Sequence, residues 1–172
     1  MKKKALHLFL PVLLLGTVFL FYSSSSSSDE YNRWGGYTPV FMDRLDLEKS
    51  VTYREARNLI NPGKIYYKTP YIFVNEKYKG VHIINNKDPY HPVNEGFISA
   101  PGCLDIAVKD EIIYLDNAVD LVAFDLLKKQ EVDRIVNVFP EPSAPDLQYH
   151  QVSDRPEGFV IVEWKKTGSS NH

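Results

Sequence analysis

This chain states nearly the same strand-and-turn pattern twice, about forty residues apart, and the repeat bears strongly on fold and weakly on chemistry. Residues 65–85, IYYKTPYIFVNEKYKGVHIIN, superpose on residues 106–125, IAVKDEIIYLDNAVDLVAFD, once one residue is removed after Lys79. The offset of about forty residues is the period of four-stranded propeller blades. Each copy reads as short strands broken by turn residues. The first copy predicts strands near Lys64–Tyr67, Tyr71–Asn75, Gly80–Asn85 and Glu95–Ser99. The second predicts them near Leu104–Lys109, Glu111–Asp116, Asp120–Asp125 and Asp133–Phe139. In VDLVAFDL, Leu121, Ala123 and Asp125 point one way while Val122, Phe124 and Leu126 point the other. Apolar residues on most of both faces predict a strand covered on each side. Eleven Tyr and eleven Pro against two Met favour strands and turns over a helical bundle. One helical turn is predicted upstream, where Asp43 can cap RLDLEKS and Asp46 suits the first turn.

The first thirty residues have a different grammar. Three lysines, Lys2 to Lys4, precede eighteen uncharged residues from Ala5 to Tyr22, the layout of a secretory leader or membrane anchor. We expect a hydrophobic helix over 1–22, retained or cleaved, and a flexible serine-rich tether over 23–30. The repeat domain is expected over 31–165 and a flexible tail over 166–172. Without the leader lysines, 17 basic residues face 22 acidic ones, so the exported part is mildly acidic and offers no electrostatic case for nucleic acid. Cys103, the single cysteine, has no partner for an intramolecular disulfide. Its apolar setting, GCLDIAV, predicts a buried small hydrophobe rather than a catalytic thiol.

The stretch KGVHIINNKDPYHPVNEGFI resembles the LVIVP repeat, in which a glycine and an apolar strand lead to a D-P-x-x-P turn and another strand. The resemblance extends over roughly Tyr31 to Lys165. It includes YTPVFMDRLDLEKSV, NPGKIYYKTPYIFVNEKYKGVHIIN, PGCLDIAVKDEIIYLDNAVDLVAFDL and VNVFPEP, which look like the N-terminal part of exported repeat lipoproteins of Bacteroidetes-type bacteria. It implies a β-propeller-like domain on a lipoprotein and implies no activity. The chain departs from that pattern at FLFYSSSS, where Tyr22 and Ser23 stand in place of a lipid-accepting cysteine. It also departs in length: beyond residue 60 there is room for about two blades and part of a third, GFVIVEW. The expected fold class is therefore all-β, a partial propeller-like array behind an N-terminal hydrophobic helix, with open sheet edges or a missing continuation.

Candidate chemistry is sparse. Asp116, Asp120 and Asp125 lie within ten residues, but without the spacing and glycine of a calcium loop they read as turn-capping carboxylates. His82, His91 and His150 lack the close pairs of a zinc signature and read as surface or hydrogen-bonded histidines. Neither a nucleophile elbow nor a phosphate loop is present. FPEPSAPDLQYHQVSDRPEG, residues 139–158, is long, proline-rich and without strand periodicity. It reads as a flexible insertion, or, if ordered, as a binding surface to which Tyr149, His150 and Arg155 contribute. We expect no metal and no cofactor. The leading functional expectation is an exported, membrane-associated β-repeat module of the cell envelope, outer membrane or cell surface that binds a protein or glycan. Its alternative is a truncated form of an envelope propeller enzyme, of hydrolase or lyase class, without independent activity.

Overall fold

The two sequence copies fold as two antiparallel meanders. The computed structural model describes residues 36–146, 152 and 155–167; the leader and the serine tether lie outside them. In chain order the elements are β1 (Tyr37–Asp43), α1 (Arg44–Glu48), β2 (Thr52–Arg54), β3 (Pro62–Lys68), β4 (Tyr71–Glu76), β5 (Gly80–Asn85) and β6 (Val93–Ser99). They continue with β7 (Ile106–Lys109), β8 (Ile112–Asn117), β9 (Asp120–Asp125), β10 (Gln130–Ile135) and β11 (Phe159–Lys166). The first sheet has the order β2-β6-β5-β4-β3, the second β10-β9-β8-β7, and β1 and β11 form a two-stranded ribbon. All-β architecture is thus established. Among the described residues no helix is long and apolar enough to cross a membrane.

The removed residue has a physical location. Glu76 pairs with Gly80 around a three-residue turn, whereas Asn117 pairs with Asp120 around a two-residue turn, Ala118–Val119. The extra residue is absorbed where Gly80 adopts φ +139°, a conformation that L side chains rarely adopt. A Cβ there would lie 1.9 Å from the carbonyl oxygen of Ile98, so side-chain size forbids any other residue as firmly as φ does. The D-P-x-x-P stretch is a turn held by Asp88, which accepts the Tyr90 N–H at 3.0 Å and pairs with His91 at 2.8 Å.

One core joins the two meanders. Phe73, Val81, Ile83 and Ile98 of the first sheet pack with Val108, Ile113, Leu115, Val122 and Phe124 of the second. In repeat register Phe73 corresponds to Tyr114, and Ile72 to Ile113. The first sheet therefore buries the face that the second leaves outward, and the sheets stack through opposite faces. Tyr66 extends the contact by donating its hydroxyl to the Val108 carbonyl at 3.1 Å, and Lys64 pairs with Asp105 at 2.5 Å.

Three expectations need correction. Val122 and Phe124 are fully buried, but Leu121 and Ala123 are only half-buried, so β9 is covered on one face and not on both. The fourth strand of the second copy is Gln130–Ile135 rather than Asp133–Phe139. Asp125 fixes its start by accepting the N–H groups of Leu127 and Lys128, both at 2.9 Å. Its end is set by Asn137, at φ +55°, whose N–H turns in to Asp120 at 3.0 Å. Finally, GFVIVEW does not begin a third stacked sheet. As β11 it pairs with β1 from Tyr37↔Lys166 to Asp43↔Phe159. Val40, Met42, Val160 and Val162 of that ribbon, with Leu47 of α1, pack against Ala118 and Val119. Asp43 caps α1 as expected, accepting the Leu45 N–H at 2.8 Å.

Candidate functional site

The outward face of the second sheet meets the proline-rich segment and leaves a cleft of about 510 Å³. This lies within the range of ordinary ligand pockets, roughly 300–1,000 Å³. Tyr114 and Leu121 form its floor, Phe139 and Pro142 its far wall, and Asp116 and Glu141 stand at its margins. Tyr114 is outward because it shares strand parity with Asp116, opposite to Ile113 and Leu115.

Hydrogen bonds pin residues 139–142, so this part of the segment takes the ordered one of the two readings that the sequence allows. Trp164 of β11 donates its indole N–H to the Pro142 carbonyl at 2.7 Å. Arg155 grips Glu141 through both carboxylate oxygens, at 2.8 and 2.5 Å. Glu141 also accepts the Ile161 N–H at 3.1 Å, and the Phe139 N–H reaches the Val119 carbonyl at 2.9 Å. Of the three sequence candidates, Arg155 is a strut behind the wall, with its guanidinium committed to Glu141. Tyr149 and His150 lie outside the described residues, as does the histidine reading made for His150.

Each carboxylate at the cleft is already engaged. Asp116 accepts the N–H groups of Leu104 and Asp105, at 2.9 and 2.8 Å. Burial nevertheless pushes its carboxyl above the ordinary range, against the pull of those donors. The Lys64 ammonium holds Asp105 below that range. Cys103, behind Asp116, is fully buried, and burial drives its thiol well above the ordinary value. It remains a protonated, inert side chain in the apolar setting read from the sequence.

The structure separates the three aspartates. Asp116 ties the 104–105 backbone, Asp125 caps a turn, and Asp120 is a buried ion-pair centre. Arg44 approaches Asp120 with two bonds of 2.8 Å, and Arg134 with one of 2.7 Å. Burial alone would raise the Asp120 carboxyl, but Arg44, the Asn137 N–H and Arg134 outweigh it and hold it below the ordinary range. Sequence reasoning missed this centre, because Arg44 lies 76 residues from Asp120. His82 is a hydrogen-bonded histidine, as read from the sequence, but buried rather than at the surface; its partner is Glu76 at 2.8 Å, whose other carboxylate oxygen takes Arg57 at 3.0 Å. Among the described residues no group of three or more His, Cys, Asp or Glu side chains gathers as metal ligands would.

Comparison with family models, curated proteins and solved structures returns no match to this chain.

Proposed function

We propose that the protein is an exported, membrane-associated repeat module of the LVIVP type that uses the cleft on its second sheet to hold a protein partner in the cell envelope. In this reading the two meanders are propeller-like blades, and the basic leader with its serine tether places them outside the cytoplasm. Support for the blade reading comes from the stacking of the sheets through opposite faces, since that arrangement repeats by simple addition.

The observation that carries the binding reading is the state of the polar groups around the cleft. Asp105, Asp116 and Glu141 are each engaged inside the protein. What remains is mainly apolar and aromatic surface from Tyr114, Leu121, Phe139 and Pro142, with the hydroxyls of Tyr114 and Ser143 as its polar groups. A glycan needs donors and acceptors that are not already spent, whereas apolar side chains of an extended protein segment need only dry, shaped surface. Acid–base work at this place is less well served, because Glu141 is clamped by Arg155 and Asp116, although raised by burial, is tied to the Leu104 and Asp105 N–H groups.

A photo-crosslinking residue at position 114, introduced in producing cells, tests the reading against one at position 90, since Tyr90 is exposed on the D-P-x-x-P turn. We expect a discrete crosslinked envelope protein from position 114 alone, in a membrane fraction accessible to external protease. Equal labelling from both positions, or recovery of intact chain as a soluble cytoplasmic protein, would overturn it.

A further inference from the structure

A second cavity lies between the two sheets, at the end away from the 77–79 and 118–119 turns, with a volume of about 270 Å³. Its walls combine three rings, Tyr53 of β2 and Tyr71 and Phe73 of β4, with the aliphatic Ile83, Leu126 and Leu127. Tyr71 and Phe73 share strand parity and lie with ring centroids 6.1 Å apart, tilted by 39°. Glu95 and Glu111 line the same space, one from each sheet. The Tyr53 ring is fixed by construction. Its hydroxyl donates to the Glu95 carbonyl at 3.2 Å, and it crosses β6 at Gly96, where a Cβ would come within 2.1 Å of the hydroxyl oxygen.

A cation already sits there. The Lys129 ammonium lies 4.3 Å from the centroid of Tyr53. Among the described residues that ring, and no carboxylate, is its partner. Lys129 is carried to this position by the turn that Asp125 organises, and it adopts φ +55°, where glycine would be the easier residue. A solvent-exposed lysine thus spans a strained backbone position and covers an aromatic wall.

We propose that this pocket binds a small organic cation of the alkylammonium class, with Lys129 as its built-in competitor. The Tyr53 face would receive the cation as it receives the Lys129 ammonium, and Glu111, with Glu95 that already accepts the Asn85 amide at 2.8 Å, lends negative charge to the same space. The ammonium of Lys129 occupies the Tyr53 face in the free protein and moves to water as the ligand enters, at little cost because its side chain is already exposed. This site is independent of the cleft, on the other face of the second sheet, and stands or falls without it.

The test uses the full chain in a maltoside detergent, which carries no ammonium headgroup, titrated calorimetrically with choline and with its neutral isostere 3,3-dimethylbutan-1-ol. We expect saturable choline binding and at least tenfold weaker binding of the alcohol. Lys129→Gly, which removes the competitor and relaxes the backbone, should tighten choline binding about tenfold. Tyr53→Leu should abolish it, with its thermal transition checked against the parent. Should that variant unfold, the isostere pair and Lys129→Gly decide. Co-sedimentation of the Lys129→Gly protein with phosphatidylcholine vesicles, competed by choline, would place the cation on a lipid headgroup. Binding of free choline without sedimentation would make the ligand a soluble cation. Equal affinity for choline and the alcohol, or no saturable choline binding by Lys129→Gly, would overturn the proposal.

Discussion

Replacing Asp120 by Asn removes one charge from the centre of the molecule with almost no change in shape. Asp120 is fully buried, while the side chains of Arg44 and Arg134 are 22% and 10% exposed. The substitution keeps one acceptor for the Asn137 N–H but turns an NH2 group toward two guanidinium forks. Breaking a buried pair by removing one partner costs about 3–5 kcal/mol. Arg44 retains Glu48 at 3.1 Å and Arg134 retains Glu131 at 2.7 Å, so the lower end applies. We expect about 3 kcal/mol, a large part of a net stability of roughly 5–15 kcal/mol, and a Tm lower by roughly 10–15 °C. Urea denaturation followed by circular dichroism measures it. The pH dependence gives an independent arm. The folded carboxyl lies below its unfolded value, so its contribution is complete above about pH 4 and is lost as pH falls through the depressed folded pKa. Asp120→Asn should therefore flatten the acid limb of the stability curve. A loss under about 1 kcal/mol, or an acid limb identical to that of the parent, would refute this account of the ion-pair centre.

Other outcomes follow from the same structure. Cys103 should resist a thiol reagent in the native protein and react at the rate of unfolding, since it is fully buried with a raised pKa; rapid labelling at neutral pH would contradict its burial. Trp164→Phe should cost about 1 kcal/mol by deleting the bond to Pro142, and should raise protease cleavage within residues 139–146; unchanged cleavage would mean that the wall is held elsewhere. Residues 31–172 expressed alone should associate in light scattering through the outward face of the second sheet, where Tyr114 and Ile135 are exposed. Tyr114→Glu combined with Ile135→Lys should then restore a monomer, whereas a monodisperse parent with a sharp melt would show that this face needs no partner.

Much of the architecture is written locally. The end of β10 is an exception, set by the Asn137–Asp120 bond, 17 residues apart. All strands of the two copies but this last one of the second, the turn between β4 and β5 and the Asp43 cap follow from period-two patterning, glycine placement and short-range side-chain bonds. The setting of Cys103 was legible for the same reason. Pairing at a distance was not. IIYL and FVIV are both β-prone, yet each has backbone partners: β8 lies between β7 and β9, and β11 joins β1, which precedes it by more than a hundred residues. Alternation in VDLVAFDL marks two apolar faces equally, and only stacking on the first sheet decides that Val122 and Phe124 go inside while Leu121 lines a cleft. The roles of the charges were likewise settled in three dimensions. Asp116, Asp120 and Asp125 are one residue type within ten positions of the chain, and they become a backbone tie, an ion-pair centre and a turn cap because burial and partners differ at each. Arg155 reads from sequence as a candidate to meet a ligand; folding spends it on Glu141 instead. The repeat, its inner strands and their turns could be read locally, because they rest on short-range sterics and alternation. Which face is open and which charges are spent could not be read that way, because both depend on contacts between residues far apart in the chain.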